Sequence, residues 1–72
     1  METKKPITTG GYVRKLRQRK NMTQQGLADR AGLSQGSVSQ IESDKFRPRW
    51  NHAHSLADVL GVSVKRILFP QK

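Results

Sequence analysis

An all-α bundle of five helices is the fold class this sequence predicts, on three observations. Apolar residues recur at three- and four-residue steps in successive segments, as a helix with one buried face requires. No segment alternates polar and apolar residues as a half-buried strand does. The connections are short and there is no internal repeat, so consecutive helices must pack on one another.

Residues 1–10, METKKPITTG, show no apolar periodicity and run through Pro6 into Gly11, which predicts a flexible basic N-terminal arm carrying Lys4 and Lys5. A helical domain is expected over residues 11–69 and a tail over 70–72. The first helix begins at Tyr12, with Tyr12, Val13 and Leu16 apolar among Arg14, Lys15, Arg17, Arg19 and Lys20, and Asn21 can end it. Thr23 is a good N-cap for a second helix through Ala31, because its hydroxyl can accept from a free backbone N–H. Leu27, Ala28 and Ala31 share one face of that helix, and Gly32 allows the turn that follows. Ser34 caps a third helix in the same way, with Val38 and Ile41 facing inward and an end near Ser43. SDKFRPR is a loop, since Pro48 disfavours helical geometry at Arg47 but is welcome just inside the next helix. From Arg49 to Leu60 the residues Trp50, Ala53, Leu56, Ala57 and Leu60 form the apolar stripe of a fourth helix, in which Trp50 is expected in the core. Gly61 stops it. Ser63 can cap a short last helix with Val64, Ile67, Leu68 and Phe69, before Pro70.

At 72 residues there is room for one small domain, which buries roughly 60% of the surface its unfolded chain would expose. Without Cys, neither disulfides nor thiolate metal sites can support it. No run approaches the roughly 20 apolar residues of a membrane span, and no apolar stretch follows the N-terminal lysines to make a signal peptide. The expectation is a soluble cytoplasmic protein that does not enter membranes. A net charge of +9, from 14 Lys and Arg against 5 Asp and Glu, favours polyanionic partners, with nucleic acid the leading candidate. Charge alone would also fit a membrane-surface peptide or a merely soluble basic protein.

Within so basic a chain, SQGSVSQIES (residues 34–43) holds only Glu42 as a charge. It belongs to a longer constellation from Gln24 to Glu42: two short helices, a turn at Gly32, and inward positions Leu27, Ala28, Ala31, Leu33, Val38 and Ile41. Small Ala28 lets the two helices approach closely and Gly32 lets the chain bend sharply, which is what a helix-turn-helix requires. An ordinary αα-hairpin shares the periodicity; the joint match of Ala28, Gly32, Val38 and Ile41 favours the DNA-binding version.

The chain at this point resembles the Xre/Cro family, the lambda-repressor-like helix-turn-helix proteins of phages and bacteria. The resemblance runs from Val13 to Leu68: an Arg-rich first helix (RKLRQRK), then MTQQGLADRAGLSQGSVSQIE, then a Pro-started helix ending in LADVLGVS and a short last helix. It implies a five-helix fold and sequence-specific binding of double-stranded DNA with the third helix in the major groove. Base edges there are mixed donor and acceptor surfaces, and a Gln amide offers both functions in a bidentate pair suited to adenine. The resemblance therefore implies base contacts from Gln35, Gly36, Ser39 and Gln40, with Gln35 and Gln40 reading bases, Gly36 allowing close approach and Ser37 near the backbone. Gln24 is similar to a family position whose amide and helix N-terminus clamp a phosphate. Lys45, Arg47 and then Arg49 follow in a loop that similar proteins lay along the DNA backbone, with Arg14, Lys4 and Lys5 as weaker phosphate candidates. Arg17 and Glu42 match family positions that form a structural ion pair tying the first helix to the third.

Two departures stand out. Relatives often have Asn-Gly after the third helix, whereas this chain has Ser43-Asp44, so the end of that helix needs either a left-handed cap from a less willing residue or a different geometry. Gly26 replaces a polar helix former, at a cost of up to about 1 kcal/mol.

An enzyme is not expected. His52 and His54 are two apart and would point in different directions on a helix, no carboxylate lies near to complete a site, and neither a metal nor a cofactor motif is present. The rivals to a transcriptional regulator, most simply a repressor, are an antitoxin or restriction-modification controller on the same scaffold, and a module that contacts protein or RNA. A homodimer on a palindromic operator is expected, with Val62, Val64, Leu68 and Phe69 as candidate interface residues, and there is no space for a small-molecule ligand domain.

Overall fold

The computed structural model describes residues 7–70, which form five helices in this order: α1 (Thr9–Arg19), α2 (Gln24–Ala31), α3 (Gln35–Glu42), α4 (Trp50–Leu60) and α5 (Val64–Leu68). Lys4, Lys5 and most of the expected arm lie outside the described residues, as do residues 71 and 72.

The arm nevertheless ends earlier than expected, because Thr9 and Gly10 already belong to α1. Thr8 is extended and caps the helix, its Oγ1 accepting from the Gly11 N–H at 3.0 Å. Gly10 is buried against the end of α3: a Cβ there would lie 2.3 Å from the Ile41 carbonyl oxygen and 2.7 Å from that of Glu42. Only a glycine lets the two backbones come so close, and a glycine contributes nothing to apolar periodicity, which is why the pattern starts late.

Caps at the other boundaries follow from short polar side chains and from glycines. Thr23 accepts from Gly26 N at 2.9 Å and Ser34 from Ser37 N at 3.1 Å. Gly32 (φ 72°) and Gly61 (φ 76°) end α2 and α4 in the left-handed conformation, and the N–H groups of Leu33 and Val62 return to the Ala28 and Ala57 carbonyls at 2.9 and 3.1 Å. Two residues with side chains also adopt positive φ, Asn21 at 56° and Asp44 at 62°. Pro48 is buried just outside α4 rather than inside it, and neither Arg49 nor Ser63 makes a side-chain cap bond.

The core is one cluster of Val13, Leu27, Ala28, Val38, Ile41, Ala53, Leu56, Ala57, Leu60 and Ile67, drawn from all five helices. Burying each large member contributes about 1.5–3 kcal/mol relative to leaving it in water. Tyr12, Leu16, Ala31 and Leu33 are half-buried at its margin. Trp50 is not in it: the residue is 62% exposed, a correction to the stripe reading. Trp50 is the first residue of α4, one turn before Ala53, and the buried stripe of that helix begins only at Ala53.

Candidate nucleic-acid interface

Packing decides which face of α3 is free. Val38, Ile41 and Glu42 are its buried residues, so by helical spacing Gly36 and Gln40 lie on the opposite face. Gln35, Gly36 and Gln40 are exposed, and Ser37 and Ser39 are half-buried on the flanks. A Cβ on Gly36 would meet nothing within 4 Å, so this face is open at its centre. Among the described residues the Gln40 side chain makes no hydrogen bond, while its carbonyl oxygen accepts from Lys45 N at 3.0 Å and Phe46 N at 3.3 Å. Ser37 is bound locally, its N–H and its Oγ both meeting Ser34 Oγ.

Beneath that face sits a buried polar network. Glu42 is the one buried acid among the described residues, and Arg17 from α1 holds it with two parallel bonds, Nε to Oε2 at 2.6 Å and Nη2 to Oε1 at 3.0 Å. Arg17 Nη1 also donates to the Met22 carbonyl at 2.8 Å, tying the α1–α2 turn to the pair. The hydrogen bond to Glu42 raises the Arg17 pKa; burial opposes that shift without reversing it. The guanidinium therefore keeps its proton throughout the neutral range, and its contribution to stability would be lost only as pH rises through its strongly alkaline pKa.

From Glu42 the network continues to the exposed face through Gln24. The Gln24 Nε2 donates to Glu42 Oε1 at 3.1 Å, and its Oε1 accepts from Gln35 Nε2 at 2.7 Å. A carboxylate can only accept, so Gln24 must turn its amide nitrogen inward and its oxygen toward Gln35. That in turn directs an N–H of Gln35 back to the protein and leaves the Gln35 oxygen and second N–H free. No sequence pattern showed the links from Glu42 through Gln24 to Gln35, because they span 18 and 11 residues and only the packing of α2 against α3 brings the partners together.

Arg14, Lys45, Arg47 and Arg49 are all exposed. Arg47 Nη2 rests 3.4 Å from the Leu68 carbonyl, so its stem crosses toward α5. Of the four residues considered for self-association, Val62, Val64 and Leu68 are half-buried and pack on the core, whereas Phe69 is 65% exposed. His52 is half-buried, while exposed His54 places Nδ1 3.6 Å from Asp58 one turn on, a correction to the expectation that no carboxylate lies near. No helix among the described residues is long and apolar enough to cross a membrane.

Comparison with known proteins matches this architecture. Residues 13–67 fit the family model described as helix-turn-helix. An immunity repressor of Bacillus phage phi105 is 31% identical over 62 residues; the match covers 86% of this chain but 43% of that protein, so the chain spans less than half of that relative. The fold superposes on the P22 c2 repressor, solved in complex with a synthetic operator, with TM-score 0.83 at 24% identity, covering 86% of this chain and 94% of that one. It also superposes on SinR, the Bacillus subtilis master regulator for biofilm formation solved in complex with DNA, with TM-score 0.80 and 27% identity over 85% of this chain and 98% of that one. With the matched span covering α2, the turn and α3 in full, the chain belongs to the Xre/Cro, lambda-repressor-like helix-turn-helix family.

Proposed function

We propose that this chain is a double-stranded-DNA-binding transcriptional regulator, acting as a repressor, that inserts α3 into the major groove and reads base edges with Gln35 and Gln40. The observation that carries the reading is the uncharged, open face of α3, followed in the chain by the exposed cations Lys45, Arg47 and Arg49. Amides and hydroxyls match the donor and acceptor pattern of base edges, and Lys45 and Arg47 are placed in sequence to meet phosphates on leaving the groove. The phage immunity repressor and the SinR complex with DNA support the same reading. Gln35, oriented by Gln24, offers an acceptor and one donor, the pair that adenine complements. Gly36 permits close approach, and Ser39 and Ser37 line the edges. Because the Gln24 amide is engaged within the protein, its phosphate contact falls to the backbone N–H groups at the start of α2.

The regulator acts as a homodimer on a palindromic site in the cytoplasm, with half-sites about 10 base pairs apart. Phe69 is the exposed apolar side chain available for pairing at the α5 end. Selection from a randomised duplex pool at physiological salt tests the reading. Enrichment of one motif is the expected result; salt-sensitive retention with no enrichment would leave only a polyanion binder. On the selected site, Gln40→Ala and Gln35→Ala should each weaken binding by about 1–3 kcal/mol and relax preference at one base pair. Equal losses on all sequences would reassign these residues to general contacts.

A further inference from the structure

We propose that Asp44 is a positioning residue for DNA binding, which fastens the loop of residues 43–49 to the N-terminus of α1 and so sets where Lys45 and Arg47 meet the DNA backbone. The inference rests on the DNA-binding reading above and adds a residue that reading does not use.

The first turn of α1 contains no acid, and its early N–H groups have no intrahelical acceptors. Asp44, 34 residues beyond Gly10, supplies what is missing: Oδ1 accepts from the Gly10 N–H at 3.0 Å. Oδ2 accepts from the Thr8 hydroxyl at 2.8 Å, and the same hydroxyl oxygen accepts from Gly11 N at 3.0 Å. A carboxylate at this end of a helix also meets the positive pole of its dipole. Asp44 reaches the position from a left-handed backbone (φ 62°), a conformation in which Asp and Asn are tolerated better than most residues with side chains.

The loop is thus held at its base, one residue before Lys45 and three before Arg47. The Lys45 and Phe46 N–H groups close onto the Gln40 carbonyl, and Arg47 reaches the Leu68 carbonyl. The same Asp places a negative charge beside cations meant for phosphates, which by itself weakens attraction to DNA. Charge and tether therefore act on affinity with opposite signs, and two neutral substitutions separate them.

Asp44→Asn and Asp44→Gly remove the same charge and both suit the left-handed backbone. Asn keeps an oxygen that can accept from Gly10 N, and Gly keeps nothing. Binding to the selected duplex is measured against salt, at a temperature where circular dichroism shows each variant folded. The expected result is that Asp44→Asn binds at least as tightly as the wild type. Asp44→Gly should bind roughly tenfold more weakly than Asp44→Asn, with a salt slope shallower by about 0.9 for each phosphate that the loop no longer meets. Lys45→Ala should then cost less affinity in the Gly background than in the Asn background, a coupling that a purely structural tie would not produce. Equal affinities and slopes for the two variants, or an additive Lys45→Ala, would overturn the proposal while leaving the DNA-binding reading intact. A wild-type chain that retains no duplex would overturn that reading and this inference together.

Discussion

Glu42 shows how one buried side chain both ties helices together and orients an amide that reaches the surface. Its carboxylate is buried with a side chain 3% exposed, and its two oxygens accept three hydrogen bonds, two from Arg17 and one from Gln24. Removing one partner leaves the other charged, desolvated and unpaired, so Arg17→Ala or Glu42→Ala should each lower stability by about 3–5 kcal/mol in urea unfolding. Replacing both with apolar residues of similar volume should cost clearly less than the sum of the single changes. Glu42→Gln keeps the shape, but its amide nitrogen faces an Arg17 N–H whichever oxygen it replaces, so one of the two parallel bonds is lost. Asp44 and Gly10 belong to the same scale: one is legible in the sequence only as an oddity after α3, the other only as a glycine in an expected arm.

At the scale of elements, α3 is a helix built for exposure rather than for its own stability. Its eight residues include Gly36, Ser37, Val38, Ser39 and Ile41, none of them a strong helix former, and it is too short to persist alone. Its stability comes from the Ser34 cap and from Val38 and Ile41 packed into the core. Under the proposed function, Gly36 separates stability from DNA affinity. A Cβ there meets nothing, so Gly36→Ala should raise stability by up to about 1 kcal/mol in thermal unfolding. The same methyl group would stand between the backbone and the base edges, so affinity for the selected duplex should fall while stability rises. Joint gain of stability and affinity would show that α3 approaches DNA through a different face.

For the whole molecule, the measure of interest is how a net charge of +9 is spread. The free face of α3 carries no cation, and the exposed Arg14, Lys45, Arg47 and Arg49 are candidates for backbone contact. If all four meet phosphates, the slope of log K against log salt should be about −3 to −4 per protomer, and twice that on a palindromic site. Triple replacement of Lys45, Arg47 and Arg49 by Ala should flatten the slope by about 2.7 per protomer without changing the selected motif. A changed motif would show that one of these residues reads bases.

Helix number, order and motif were decided locally. Thr23, Ser34, Gly32 and Gly61 mark boundaries because capping and left-handed turns are properties of single residues. The three- and four-residue spacing of Leu27, Val38, Ile41, Leu56 and Leu60 placed them in the core because one helix face can be buried at a time. Tertiary packing decided the rest. Trp50 fits the α4 stripe yet lies beyond the buried part of that helix, since periodicity assigns a face and not a depth. The start of α1 was hidden because Gly10 is buried by backbone proximity and carries no apolar signal. The bonds from Gln35 through Gln24 to Glu42, and from Asp44 to Thr8 and Gly10, join residues far apart in the chain. Their geometry exists only once helices pack, because a hydrogen bond depends on distance and direction, which residue order does not contain.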